Sequence, residues 1–196
     1  MKFALATATA LTSFAASAYA ATETTLSYRF TLSALFANNT AAPLVEGYLA
    51  TPREISQKPL STAATWPNAG EYGAGLIDGQ LLATNPAVGG PDSAFYYNGT
   101  FGWSADSTIM PASRFVFQRQ ANGVTWDPSH YNLNVFSAVD GKIAVNGDLN
   151  KWSLCPGQGG DPGQAEIFYN VEEAGLNPPV NNIQDCVKVQ LVVNPL

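Results

Sequence analysis

The chain has 196 residues, of which 12% are charged, and its formal net charge at pH 7 is −6. Its 9 basic residues form no cluster, which argues against nucleic acid or an anionic membrane as a partner. A surface with so few charges stays soluble through neutral polar groups, and such a surface suits an acidic external medium.

The first 20 residues predict a secretory signal peptide. A single cation, Lys2, precedes a short apolar run, and Ala18-Tyr19-Ala20 matches the small-x-small cleavage pattern. Ser and Thr residues dilute the run, whereas a transmembrane anchor needs about 20 strongly apolar residues. Cleavage after Ala20 is favoured, with Ala18 as the alternative. The product would be a secreted extracellular domain of residues 21–196 without a membrane anchor, with 8 basic and 15 acidic residues and a net charge of −7.

Strand patterns dominate this domain. Residues 26–33 alternate apolar and polar side chains, as a half-buried strand requires. Similar alternation or shorter β-rich runs recur at 95–97, 115–117, 131–135, 142–145, 165–169 and 187–193. Residues 170–174 have the composition of one short helical turn.

Five Asn-Gly or Asp-Gly dipeptides lie among these runs. They are Asp78-Gly79, Asn98-Gly99, Asn122-Gly123, Asp140-Gly141 and Asn146-Gly147. Both residues of such a dipeptide tolerate positive φ, which tight antiparallel hairpins need. The stretch 50–93 is rich in Pro and Gly, and it predicts long ordered loops around one hairpin at Leu76–Leu82.

Short strands joined by hairpins predict an all-β fold with a single compact antiparallel domain. Two architectures remain open. A β-trefoil-like barrel would explain the strand–turn–strand motif that recurs around residues 78, 98 and 140, and a β-sandwich would look nearly the same.

Cys155 and Cys186 are the two cysteines, and export would place them in an oxidising environment. We expect a disulfide that closes a loop of about 30 residues and contributes roughly 3–4 kcal/mol. Two thiols and a single distant histidine cannot make a closed zinc site, so no metal or other cofactor is expected. Asn38 and Asn98 begin N-glycosylation sequons and are the candidate glycan carriers.

Catalytic patterns are weak. His130 is the single histidine and is interpreted as a surface loop residue, and no Gly-x-Ser-x-Gly motif occurs. Glu172 and Glu173 are adjacent, so on a strand they would point to opposite faces and could not act as a paired-carboxylate site. We therefore expect no enzyme activity and assign no catalytic residue.

Carbohydrate binding is more plausible, because aromatic rings can stack on sugar faces. The four tryptophans are Trp66, Trp103, Trp126 and Trp152. Core packing is the alternative role for such rings. Trp126 and Tyr131 flank a loop that contains Asp127 and His130, and they are the candidate ligand-facing aromatics.

Several segments carry a family resemblance. They are Tyr28–Ala34, Phe95–Gly99, Phe136–Ile143, Trp152–Pro156, Ile167–Tyr169 and Asp185–Leu191. Together they resemble the PhiA-like secreted cell-wall proteins of filamentous fungi. The resemblance implies a non-enzymatic cell-wall or extracellular-matrix protein with a structural or developmental role, in contact with cell-wall polysaccharide or other wall components. The alternative is a secreted carbohydrate-binding or host-interaction module of the antigenic or effector-like kind.

Overall fold

The computed structural model describes residues 21–46, 57–62, 72–84, 90–101, 113–119, 134–156, 165–173 and 185–196. The predicted signal peptide, Asn122-Gly123 and residues 131–133 of one predicted strand lie outside these ranges. Within them the chain forms thirteen strands and a short 3₁₀ helix at Val171–Glu173. The 3₁₀ helix is the predicted helical turn.

The strands follow the chain in this order: β1 (Thr22–Glu23), β2 (Phe30–Phe36), β3 (Ala41–Glu46), β4 (Gln57–Thr62), β5 (Ala74–Ile77), β6 (Gln80–Thr84), β7 (Phe95–Phe101), β8 (Ser113–Arg119), β9 (Phe136–Val139), β10 (Lys142–Val145), β11 (Trp152–Pro156), β12 (Ala165–Tyr169) and β13 (Val187–Pro195). The expected strand at 26–33 thus begins later, at Phe30. Leu26 is nonetheless buried, because its backbone N–H donates to the carbonyl of Leu76 and holds the segment against the β5–β6 hairpin.

The described strands pair antiparallel, and eight of them close a barrel. The ring runs through β2, β5, β6, β7, β8, β12, β11 and β13. Closure comes from β13, which pairs with β2 from Val189↔Phe36 to Pro195↔Phe30. The all-β, single-domain, antiparallel prediction is confirmed, and the closed ring identifies a barrel and not a two-layered sandwich.

Five further strands extend the barrel. The β3–β4 hairpin spans from β2 to β8 and β12. The β9–β10 hairpin adds to β13, and β1 pairs with β9. β4 lies inside the stretch for which loops were expected around a single hairpin. Pro59 hid this strand from the sequence pattern, but pairing with β3 and β8 supplies its ladder.

Three of the predicted turns are confirmed. Both residues of Asp78-Gly79, Asp140-Gly141 and Asn146-Gly147 have positive φ. The first two dipeptides close two-residue hairpins, with Ile77 opposite Gln80 and Val139 opposite Lys142. This is the turn geometry that matches the right-handed twist of antiparallel strands.

Asn98-Gly99 is not a turn, and that prediction is wrong. Both residues lie in the middle of β7. A Cβ on Gly99 would come within 2.9 Å of the Phe115 ring and 3.0 Å of the Leu81 carbonyl oxygen, so close packing explains this glycine. The three-fold strand–turn–strand motif therefore loses its middle member, and with it the argument for a trefoil.

The barrel interior is filled by alternate side chains of its strands. Phe30, Leu32 and Ala34 of β2 are buried, with intermediate or partly exposed residues between them. A cluster of rings fills the centre, formed by Phe101, Phe115, Phe117, Phe136, Trp152 and Tyr169. The indole N–H of Trp152 donates to the carbonyl of Ile143 at 2.8 Å, which satisfies its polar atom in the core.

Candidate binding site

The aromatic residues that the sequence suggested for sugar binding do not form a described site. Trp126 and Tyr131, together with Trp66, Trp103 and His130, lie outside the described residues. Trp152 is fully buried in the core cluster, so its interpretation as a sugar-stacking ring is wrong. Its ring is enclosed by Phe101, Phe115 and Tyr169, which leaves no face for a ligand.

The predicted disulfide between Cys155 and Cys186 is present, with the two Cα atoms 4.1 Å apart. Cys155 belongs to β11, and Cys186 directly precedes β13. These strands pair through Leu154 and Val187, so the bond ties together two neighbours of the barrel ring. The sulfurs pack with Phe168 and Val171 in a small apolar cluster. Its position between two paired strands, beside apolar side chains, indicates a structural role for the bond.

The two sequons occupy different environments. Asn38 is exposed in the β2–β3 connection, and its Oδ1 accepts hydrogen bonds from the Thr40 N–H at 3.0 Å and the Thr40 hydroxyl at 2.6 Å. A glycan on Asn38 remains a prediction that the fold can accommodate. Asn98 is 7% exposed within β7, opposite Gln118 of β8. A glycan on Asn98 is no longer expected in the folded domain, since its side chain is packed in the sheet.

A groove with a volume of about 530 Å³ lies on the barrel beside the β2–β3 connection. Its lining residues are Leu35, Phe36, Ala37, Asn39, Lys142, Asn150, Lys188, Val189 and Gln190. They provide three side-chain amides and two cations, beside the half-buried Leu35 and Phe36 and the exposed Ala37. This volume falls in the range of about 300–1,000 Å³ that small-molecule sites occupy.

The groove arises from a fork in the strand pairing. One edge of β13 follows β2 continuously. The other edge pairs with β10 at Leu191 and Val192 and with β11 at Val187 and Lys188. Because β10 and β11 diverge, the sheet opens between them beside Gln190. Its Nε2 donates across the opening to Asn150 Oδ1 at 3.4 Å. We call this opening the β10–β11 fork.

The two lysines enter the groove from different strands. Lys142 begins β10 opposite Val192, and Lys188 lies on β13. Lys188 Nζ is 2.8 Å from Glu172 Oε1, and both side chains are well exposed. Within the described part of the chain, Lys142 has no salt-bridge partner. The groove is thus locally cationic on a chain whose net charge is negative.

A second polar cluster lies where β4, β8 and β12 meet. Arg114 donates to Glu166 Oε1 at 2.8 Å, and Glu166 is fully buried. Ser61 lies directly opposite Glu166 in the strand register. Among the described residues, the buried Ser61 Oγ has no hydrogen-bond partner. We call this cluster the β4–β8–β12 junction; its burial suits a structural ion pair and not a ligand site.

Sequence reasoning missed both the groove at the β10–β11 fork and the β4–β8–β12 junction. The residues of the groove come from three separate strands and two connections, so no local motif joins them. The signal available was the spacing of polar residues along 187–193, which marks Lys188 and Gln190 as an outward face of a strand. Nothing local indicated that this face would border an opening.

Metal and membrane chemistry find no support in the described ranges. They contain no group of three or more His, Cys, Asp or Glu side chains positioned to hold a metal ion. They also contain no helix of the length and apolar character needed to cross a membrane.

Comparison of the whole chain with protein-family models, curated proteins and solved structures finds no significant match.

Proposed function

We propose that this protein is a non-enzymatic, secreted protein of the cell wall or extracellular matrix, and that it holds wall polysaccharide in the groove at the β10–β11 fork. The observation that carries the proposal is the lining of the groove. It combines the amides of Asn39, Asn150 and Gln190 with the half-buried apolar side chain of Leu35.

This combination suits a sugar ring. Each amide offers both a donor and an acceptor, which matches hydroxyl groups that also do both. The apolar side chain of Leu35 provides contact area for the C–H face of a ring. Few precisely placed polar groups on an apolar surface are typical of small-molecule sites.

The same lining supports binding without turnover. Glycoside hydrolysis needs two carboxyl groups that flank the scissile bond. The described lining residues carry amides and ammonium groups and no carboxylate, thiol or imidazole. Glu172 pairs with Lys188 at 2.8 Å, and it is not among the lining residues of the groove.

The proposal is tested by fractionation of the producing cells and by pull-down on insoluble β-glucan and chitin. We expect the protein in the wall fraction and on at least one polymer. The double variant Asn150→Ala/Gln190→Ala removes the amide pair across the fork. Each neutral hydrogen bond contributes about 0.5–1.5 kcal/mol, so the loss of two should weaken binding by about five- to 150-fold.

The chain offers a matched control. Gln80 Nε2 donates to Asn134 Oδ1 at 3.1 Å in a second exposed amide pair, away from the groove. The double variant Gln80→Ala/Asn134→Ala should bind as the wild type does. Equal losses in both double variants, or hydrolase activity that disappears when one carboxylate is replaced, would overturn the proposal. Polymer binding by protein found only in the medium would favour the secreted carbohydrate-binding module.

A further inference from the structure

We infer that the groove selects acidic saccharides, whose sugar rings carry carboxylate or phosphate groups, over neutral ones. This inference rests on the proposed function, because it assigns a ligand class to the same groove. Its basis is the placement of two ammonium groups, on Lys142 and Lys188, beside three amides in one opening of the sheet.

The charge of the groove is unusual for this chain. The described arginines with placed side chains are engaged elsewhere: Arg29 contacts the carbonyl oxygens of Pro91 and Ser93, and Arg114 contacts Glu166. Lys151 pairs with Glu173. Lys142 and Lys188 line the groove, and Lys188 also pairs with Glu172 in an exposed contact. On a chain of net charge −6 they create a local site for an anion.

Glu172 occupies the position that an acidic ligand group would take. Its Oε1 is 2.8 Å from Lys188 Nζ, and the two side chains are 69% and 57% exposed. A pair this exposed is weak, because water solvates both charges and the side chains lose freedom on pairing. A carboxylate or phosphate on a bound sugar can displace Glu172 from Lys188 at small cost.

The amides restrict the ligand to acidic sugars and not to free anions. Asn39, Asn150 and Gln190 add donors and acceptors next to the lysines, and these match the hydroxyl groups of a sugar. A bare anion would use the lysines alone, whereas a neutral sugar would use the amides alone. An acidic sugar uses both sets.

The test measures the affinity of the purified domain for three probes: trigalacturonate, a mannose phosphate trisaccharide and neutral laminaritriose. We expect one of the two acidic probes to bind more tightly than the neutral one at low salt. The advantage should vanish at 0.5 M salt, where charges are screened within a few ångströms. The acidic probe that binds identifies the group as carboxylate or phosphate.

Charge-neutralising variants connect that preference to the groove. Lys142→Gln and Lys188→Gln should each weaken acidic-probe binding about two- to fivefold and leave laminaritriose unchanged. Glu172→Gln should strengthen it by a similar factor, because the competing carboxylate is gone. The matched controls are Lys151→Gln and Glu173→Gln. These residues form a second exposed ion pair, in which Glu173 directly follows Glu172 in sequence, and neither substitution should alter the preference.

The outcomes separate the two proposals. Binding of the neutral probe with no acidic preference, or an acidic preference that survives both lysine substitutions, overturns the inference and leaves the proposed function standing. A domain that binds no saccharide and no wall polymer overturns both. Weakening by Lys151→Gln equal to that by Lys188→Gln would show that net charge, and not the groove, attracts the ligand.

Discussion

The β4–β8–β12 junction and the β10–β11 fork arise from the same event in the sheet. In each, one strand edge is shared by two neighbours: β12 passes from β4 to β8, and β13 passes from β10 to β11. At the junction, the Glu166 side chain of the Arg114–Glu166 ion pair is completely buried. At the fork, the Lys188–Glu172 pair lies in solvent. The difference shows that a break in strand pairing can be filled by a buried ion pair or can remain open to solvent as a candidate binding site.

The physical consequence follows from solvation. A buried charge has lost its water and depends on its partner, so removal of the partner costs about 3–5 kcal/mol. An exposed charge regains water when its partner is removed, and such pairs contribute about 0–1 kcal/mol. Substitutions at the junction should therefore act on stability, and substitutions at the fork should act on binding.

The largest effect is expected for Arg114→Met. It removes the Arg114 guanidinium that pairs with the buried Glu166 carboxylate, and the free energy of unfolding should fall by about 3–5 kcal/mol. Urea denaturation followed by tryptophan fluorescence measures the loss, because Trp152 is in the core. Lys188→Met is the control and should cost less than about 1 kcal/mol. Equal costs for the two variants would remove the distinction between junction and fork.

Loss of the disulfide should have the next largest effect. Replacing both Cys155 and Cys186 with Ser should lower stability by roughly 3–4 kcal/mol, because the unfolded chain is no longer cross-linked. Polymer binding by the folded fraction at low temperature should persist, since neither sulfur lines the groove. A double variant that stays fully folded but binds nothing would give the cysteines a direct role in binding.

Tyr169 is a buried residue of β12, and its phenol shows how burial affects a second kind of ionisable group. Burial, followed by the charges of Asp148 and Glu173, raises the pKa of its phenol to about 12. The folded state thus favours the neutral phenol more than the unfolded state does. Its contribution to stability is complete below pH 10, the usual phenol value, and is lost as the pH rises towards 12.

Alkaline titration of the wild type should show this loss between pH 10 and 12. Tyr169→Phe should flatten the profile in that window, because its ring cannot ionise. Ultraviolet difference absorption at 295 nm would follow phenolate formation independently of unfolding. Because other tyrosines contribute to this absorption, the difference between the wild type and Tyr169→Phe isolates Tyr169, and a transition near pH 10 in that difference would contradict its burial.

The smallest effect is expected at the exposed Glu173. Hydrogen bonds from Asn170 and then from Lys151 lower the pKa of its carboxyl group. Its stabilising contribution is therefore present above its ordinary pKa of 4.5 and is lost as the pH falls through the lowered value. Glu173→Gln should change the melting midpoint at pH 7 by no more than about 1–2 °C. Carboxyl-carbon NMR titration reports the lowered pKa directly.

The contrast between the two places also explains which features could be predicted from sequence. Asp78-Gly79 and Asp140-Gly141 were recognisable because their turn geometry depends on the two residues themselves. The disulfide was predictable because two cysteines allow one pairing. The β13 alternation was visible because its buried side chains repeat every second residue.

Features that depend on distant strands were not predictable. Asn98-Gly99 has the composition of a hairpin turn, yet Phe115 and Leu81 require a glycine in a strand there. Arg114 and Glu166 are 52 residues apart, and only the meeting of β8 and β12 makes them partners. The groove depends in the same way on where β10 and β11 leave β13. The residues of each turn thus determined its geometry, whereas the pairing of distant strands determined the position of the groove.

The pairing of β2 with β13 has a consequence for how the chain folds during synthesis. Asn194 Nδ2 donates to Ser33 Oγ across 161 residues of sequence, so β2 waits for β13 before the ring can close. Barrels with such non-local pairing fold slowly, because a long loop must be ordered before any contact rewards it. The ring therefore stays incomplete until β13, at Val187–Pro195, has been synthesised.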